Sequence, residues 1–308
     1  MSVAAVERAS SPWGLFGKVP AQGDFLRLGV ASPAAQALVG WLHEAIEPVH
    51  RAGAALPSAP VRFLFRGARS PEALVGTMVA SRDRVGRAFP LCAFTRIPAR
   101  ALAAAFPGLP GAADALCAAA EALLQRPEAL EPGALPALVG ALPGAADPAA
   151  SHAALAAEAA GLPAAAVLEA LPDGGAAYAL ATFEAALGPH ASGEPERAPV
   201  AVDAPARREV ERWFWLELAR RLLAWPAPPV LLWTSERLLV SPGVPPATAL
   251  QHLCAPARPP SKIWPLVSER PEALAAARAR LAPAATAALA GGSAAALLDA
   301  LAGGGARG

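Results

Sequence analysis

Large aromatic side chains are spread unevenly along this chain of 308 residues: tryptophan and phenylalanine lie almost entirely outside positions 107–204. Aromatic side chains dominate core burial, so the main core must come from residues 13–100 and 205–255. One continuous α+β core is therefore expected from those two stretches, with 127–200 packed on it as an insertion or second lobe. Composition bears on this only through alanine. The apolar fraction of 55% suggests a membrane protein until the 83 alanines are set aside, which leaves the share of larger apolar residues a water-soluble core needs. The run Leu281 to Leu298 is Ala-dominated and broken by Pro283 and Gly291-Gly292, a poor membrane-spanning helix. No membrane insertion is expected.

A formal charge of +1 argues against nucleic-acid binding, which needs a concentrated basic face. Glu7 and Arg8 precede any apolar stretch, so no secretory signal is read and a cytoplasmic location is expected. Cys92, Cys117 and Cys254 show no C-x-x-C spacing and read as reduced, buried thiols.

Turn signals alternate with apolar runs in the first half. Trp13 to Val19 reads as a strand followed by the turn Pro20 to Asp24. Ser32-Pro33 is an N-cap with proline at the first helical position. Leu38, Trp41, Leu42, Ala45, Ile46 and Val49 then recur at helical spacing, which predicts a helix over 33–51. Val61 to Phe65, Leu74 to Ala80 and Phe89 to Ile97 read as an antiparallel meander. Residues 111–126 read as a helix, 148–160 and 163–171 as small helices, and 188–200 as a mobile stretch. Pattern returns at 207–225, an amphipathic helix, then a hairpin of Val230 to Thr234 and Arg237 to Ser241, a helix at 246–254, and a last helix near 271–290 before a Gly-rich tail.

Local signatures of catalysis are missing. His43 and His50 are about 10 Å apart along one predicted helix, too far to share a metal unaided, and no H-E-x-x-H occurs. Gly14-Leu15-Phe16-Gly17-Lys18 fails the phosphate-loop pattern at Pro12 and Val19. There is no G-x-S-x-G and no G-x-G-x-x-G. No cofactor, metal or catalytic residue is expected.

Two segments are distinctive: Gly14-Leu15-Phe16-Gly17-Lys18-Val19-Pro20-Ala21-Gln22-Gly23-Asp24-Phe25-Leu26-Arg27 and Ser81-Arg82-Asp83-Arg84-Val85-Gly86-Arg87-Ala88-Phe89-Pro90-Leu91. Together they resemble the TagF family associated with bacterial type VI secretion. Trp41, Arg62-Phe63, Leu232-Trp233-Thr234 and Gly243-Val244-Pro245-Pro246 extend the resemblance. Val61, Arg82 and Leu28 depart from the family pattern. The resemblance implies a longin-like α+β fold, an antiparallel sheet with flanking helices, here joined by a mostly helical Ala-rich lobe. It also implies a non-enzymatic cytoplasmic protein that restrains secretion after translation through a forkhead-associated scaffold partner. The expected division is a disordered segment at 1–12, a TagF-like domain at 13–126, and an Ala/Pro-rich helical insertion at 127–204. A helix–hairpin–helix at 205–256 completes the core, and an Ala/Arg helix with a flexible tail follows at 257–308.

The residues support roles of their own. Gly17, Pro20, Gly23, Asp24 and Phe25 shape the exit from the first strand, while Asp83, Gly86, Phe89 and Pro90 shape the second turn. Asp24 and Asp83 are expected to anchor the two loops together. Arg82, Arg84 and Arg87, with Lys18, form a basic patch suited to a partner or anion. Arg84 or Arg87 equally suits a half-buried salt bridge to Asp24 or Asp83 that holds the two loops together. Competing readings are a hydrolase or small-ligand module using a cleft between the halves, or a structural subunit of the secretion apparatus.

Overall fold

The strands β1 (Trp13–Gly17), β2 (Leu26–Leu28), β3 (Val61–Phe65), β4 (Glu72–Val79), β5 (Leu91–Pro98), β6 (Ala201–Pro205), β7 (Val230–Trp233), β8 (Arg237–Ser241) and β9 (Ile263–Pro265) hydrogen-bond into one sheet. Its order is β2-β1-β5-β4-β3-β7-β8-β6-β9. Every neighbouring pair is antiparallel except β6 and β9, which run parallel. This computed structural model describes residues 13–304 apart from 69, 128, 129, 132 and 194. The segment 1–12, expected to be disordered, lies outside the described residues, as does the end of the expected tail.

The sheet is buried on both faces, and strand alternation divides its side chains between two cores. Val61, Phe63 and Phe65 of β3, Cys92 and Phe94 of β5, and Leu232 of β7 face one core. That face is covered by the helices Pro33–Arg51 and Thr248–Cys254. Leu64, Leu91, Ala93, Leu231 and Trp233 face the other, where Leu116, Cys117, Phe183, Phe214 and Trp215 pack on them. Ser32 caps the helix Pro33–Arg51, its hydroxyl accepting from Ala35 N at 3.3 Å. Trp41 anchors this helix across the fold by donating its indole N–H to Pro245 O at 3.0 Å. The overall class is thus α+β, with an antiparallel sheet, flanking helices and a helical region.

The alanine-rich region shares the core of the sheet. Leu130, Leu135, Val139, Phe183 and Leu187 bury in the same cluster as the strands, and β6 inserts into the sheet between β8 and β9. Small side chains explain how: a Cβ on Gly108 would lie 2.3 Å from both His152 N and Pro148 O, so the helix Pro148–Gly161 approaches backbone to backbone. In the stretch expected to be mobile, Arg197 forms an exposed ion pair with Glu44 at 2.7 Å and Ala198 N donates to Val244 O at 2.9 Å. Beyond 257 the chain supplies β9 and three helices, Pro271–Arg280, Pro283–Gly291 and Ala294–Gly304, rather than one helix and a tail. Pro283 ends the single helix expected near 271–290, and Leu297, Leu298 and Leu301 draw the last helix into the core.

Candidate functional site

The two distinctive segments meet at one end of the sheet. β1 leaves the sheet at Gly17, and its neighbour β5 begins at Leu91, directly after the turn 81–90; Gly17 and Leu91 are register partners. The approach is close enough to exclude a side chain: a Cβ on Gly17 would lie 2.2 Å from Pro90 O, and its φ of +145° disfavours any L residue. Ser81 Oγ donates to Lys18 O at 2.7 Å, and Arg84 N donates to Gln22 O at 3.0 Å, so backbone carbonyls of the first loop hold the second.

Asp83 organises the turn. Its Oδ1 accepts from Val85 N at 3.0 Å and Arg87 N at 2.9 Å, while Oδ2 takes Arg87 Nε at 2.6 Å and Lys18 Nζ at 3.1 Å. Burial pushes this carboxyl upward, but hydrogen bonds from Arg87 backbone and guanidinium, from Lys18 and from Val85 N outweigh it. The result is an acid held well below the usual carboxylate range. Gly86, at φ +88°, supplies the left-handed corner, and Phe89 N closes the turn on Ser81 O at 3.1 Å.

Several expected roles change. Lys18 is not a surface contact: its side chain is buried, bonded to Asp83 and to Gly23 O at 3.2 Å, and its ammonium lies 4.2 Å from the centroid of Phe25. Arg87 is exposed but already engaged, by Asp83 and by Gly23 O at 2.9 Å. Asp24 does not anchor the loops. It is exposed and, among the described residues, its carboxylate accepts only from Phe25 N, at 2.7 Å, whereas Asp83 is reached by Lys18 from the other loop. Gly23 contributes its carbonyl rather than conformational freedom. Pro20 lies exposed on the loop, while Phe89 and Pro90 are buried at its base.

Arg82 and Arg84 are exposed, and neither guanidinium has a hydrogen-bond or ion-pair partner among the described residues. Three further residues, not expected in this site, join it. Val85, at the tip of the turn, is 67% exposed. Arg27 on the edge strand β2 lies 5.3 Å from the Phe16 ring centroid and 6.0 Å from that of Phe25. His43 sits against Phe16, Phe25 and Phe89, with ring centroids 5.7, 5.1 and 5.3 Å away. Partial burial there, then the charges of Arg27 and Lys18, push His43 below the usual histidine range, so it is neutral at neutral pH. A valine between charged residues and a lone arginine give no periodic signal in sequence.

Elsewhere, a cavity of about 740 Å³ is bordered by the helices Ala176–Leu187 and Ala294–Gly304, with Glu184, Arg221 and Arg280 as its titratable lining. His252 Nε2 lies 2.8 Å from Asp203 Oδ2, and both side chains are sealed from solvent. Among the described residues, no group of three or more His, Cys, Asp or Glu side chains is placed to hold a metal ion. None of their helices is long and apolar enough to cross a membrane.

No curated protein is significantly similar to the chain. Among solved structures, PA0076 from Pseudomonas aeruginosa PAO1, a crystal structure at 2.05 Å resolution, aligns with a TM-score of 0.47 and 20% identity, covering 79% of this chain and 93% of that one. Residues 14–141, which hold both interlocked segments, match the family described as the TagF N-terminal domain, type VI secretion system-associated. That match identifies residues 14–141 as a TagF N-terminal domain, associated with type VI secretion.

Proposed function

We propose that the chain is a non-enzymatic cytoplasmic regulator that restrains type VI secretion after translation by binding a forkhead-associated scaffold protein through the arginine turn. One observation carries the reading: a turn locked by a buried carboxylate presents Arg82 and Arg84 with their donors unspent, inside the domain that matches the secretion-associated family. A rigid turn loses little entropy on docking, and unpaired guanidiniums direct their donors outward. The experiment is overproduction of the chain in a strain carrying a type VI secretion cluster. Effector release should fall with transcript levels unchanged, and the double variant Arg82→Ala, Arg84→Ala should no longer lower it. Unchanged release under wild-type overproduction, or equal repression by the double variant, contradicts the proposal.

A further inference from the structure

We infer that the element docking on the arginine turn is an acidic segment of a protein partner, carrying an apolar side chain that packs on Val85. This rests on the reading of the turn as a partner-contact surface and specifies the chemistry of what it contacts. Charge is the first argument. Segments 18–27 and 81–89 hold Lys18, Arg27, Arg82, Arg84 and Arg87 against Asp24 and Asp83, in a chain whose formal charge is only +1. Both carboxylates are already engaged, Asp83 by Lys18 and Arg87 and Asp24 by the Phe25 amide. Arg82 and Arg84 have no acceptor among the described residues, and Arg27 meets only the faces of Phe16 and Phe25. Carboxylates match guanidinium donors in geometry as well as in charge.

Val85 is the second argument. At 67% exposure it is the most exposed large hydrophobic residue among those described, and its amide is pinned to Asp83 Oδ1 at 3.0 Å, so the side chain is presented at a fixed place. A pinned apolar tip directly after Arg84 and three residues from Arg82 suits a segment in which acidic residues lie beside one apolar residue. A lone valine provides too little apolar area to hold a bilayer surface, where stable attachment takes a larger anchor. The surface therefore favours a protein segment over a lipid.

The test uses the full chain and a fluorescein-labelled peptide of alternating glutamates around a central leucine, read by fluorescence anisotropy across a salt series. Binding should be saturable and weaken steeply with salt. Arg82→Gln with Arg84→Gln should weaken it about tenfold and flatten the salt dependence. Val85→Ser should weaken it about threefold with the salt slope unchanged. All variants should melt with wild type. Equal binding of a glutamine-for-glutamate peptide, no binding of the glutamate peptide, or wild-type affinity in the double arginine variant overturns the inference. So does stronger, Val85-dependent binding to phosphatidylserine vesicles, or a strong preference for a phosphoserine peptide. A photo-crosslinking residue at position 85 in cells separates this inference from the reading beneath it. Capture of an acidic segment on a protein outside the secretion machine sinks the scaffold reading and keeps the acidic chemistry. Capture of a neutral or basic segment of a secretion component does the opposite.

Discussion

Three glycines of the interlocked loops look equivalent in sequence, yet the structure grades them sharply under replacement by alanine. At Gly17 two costs add. The backbone at φ +145° is one that L residues avoid, and the new Cβ would lie 2.2 Å from Pro90 O and 2.6 Å from Leu91 Cα, both backbone atoms that cannot swing aside. Strain of this kind costs about 1–3 kcal/mol and overpacking about as much again, for a sum near 4 kcal/mol. In a chain of this size that lowers the melting temperature by about 10 °C. Gly86 carries only the first cost: φ is +88° and nothing lies within 4 Å of its Cβ position, so the loss is about 1 kcal/mol. Gly23 carries neither, since the atom nearest its added Cβ is Arg84 Nη2 at 3.8 Å, and its replacement should fall within about 0.5 kcal/mol of wild type. Thermal melts followed by circular dichroism give the order directly. Gly17→Ala should also move Lys18 away from Asp83 and loosen the arginine turn. If Gly17→Ala melts with wild type, or Gly23→Ala falls as far as Gly17→Ala, the close packing of β1 on Pro90-Leu91 does not hold these loops together.

Other outcomes follow from the charged and thiol groups. The folded-state carboxyl of Asp83 lies below its unfolded value, so its stabilising contribution is complete above the ordinary carboxylate range of about pH 4 and is lost as pH falls toward the folded value. Asp83→Asn should thus melt well below wild type at pH 6 with the gap narrowing by pH 3, and a constant gap refutes the assignment; Asp24→Ala should change melting little at either pH. Glu217, 3% exposed, pairs with Arg220 and Arg221 at 2.6 and 2.8 Å, and the two guanidiniums outweigh its burial to hold its pKa below the usual range. Glu217→Ala leaves Arg220 unpaired and Arg221 with Asp299 as its remaining partner, and should cost about 2 kcal/mol, measured by urea unfolding; a loss no larger than that of a surface glutamate argues against the network. Burial pushes the Cys254 thiol up to about 11 and Cys117 to about 12, with Cys92 higher still. Iodoacetamide at pH 8 should label the native chain slowly and Cys254 first, and faster labelling of Cys92 contradicts its burial.

What could be read in advance depended on whether a signal was local. The helix Pro33–Arg51 was legible because Ser32, Pro33 and the spacing of Leu38, Trp41, Ala45 and Val49 all state it within one segment. The hairpin of β7 and β8 was legible for the same reason. β2, β6 and β9 were not: they span three to five residues, include Arg27, Asp203 and Pro265, and exist because a neighbouring strand supplies their hydrogen bonds. The segment 127–204 reads only as an insertion or second lobe because alanine marks no core face; the small side chains let its helices close on the sheet. In the site, the clustering of arginines was visible, but their division of labour was not. Lys18 and Asp83 lie 65 positions apart, and only folding shows that they pair, that Arg87 is engaged and that Arg82 and Arg84 are left free.

Isothermal titration of the purified chain with the forkhead-associated scaffold protein proposed as its partner decides whether the arginine turn docks it. Wild type should bind saturably, and Arg82→Ala with Arg84→Ala should weaken binding about tenfold or more while its melting temperature stays at the wild-type value. Absence of binding by wild type, or undiminished binding by a double variant that is folded, would contradict it.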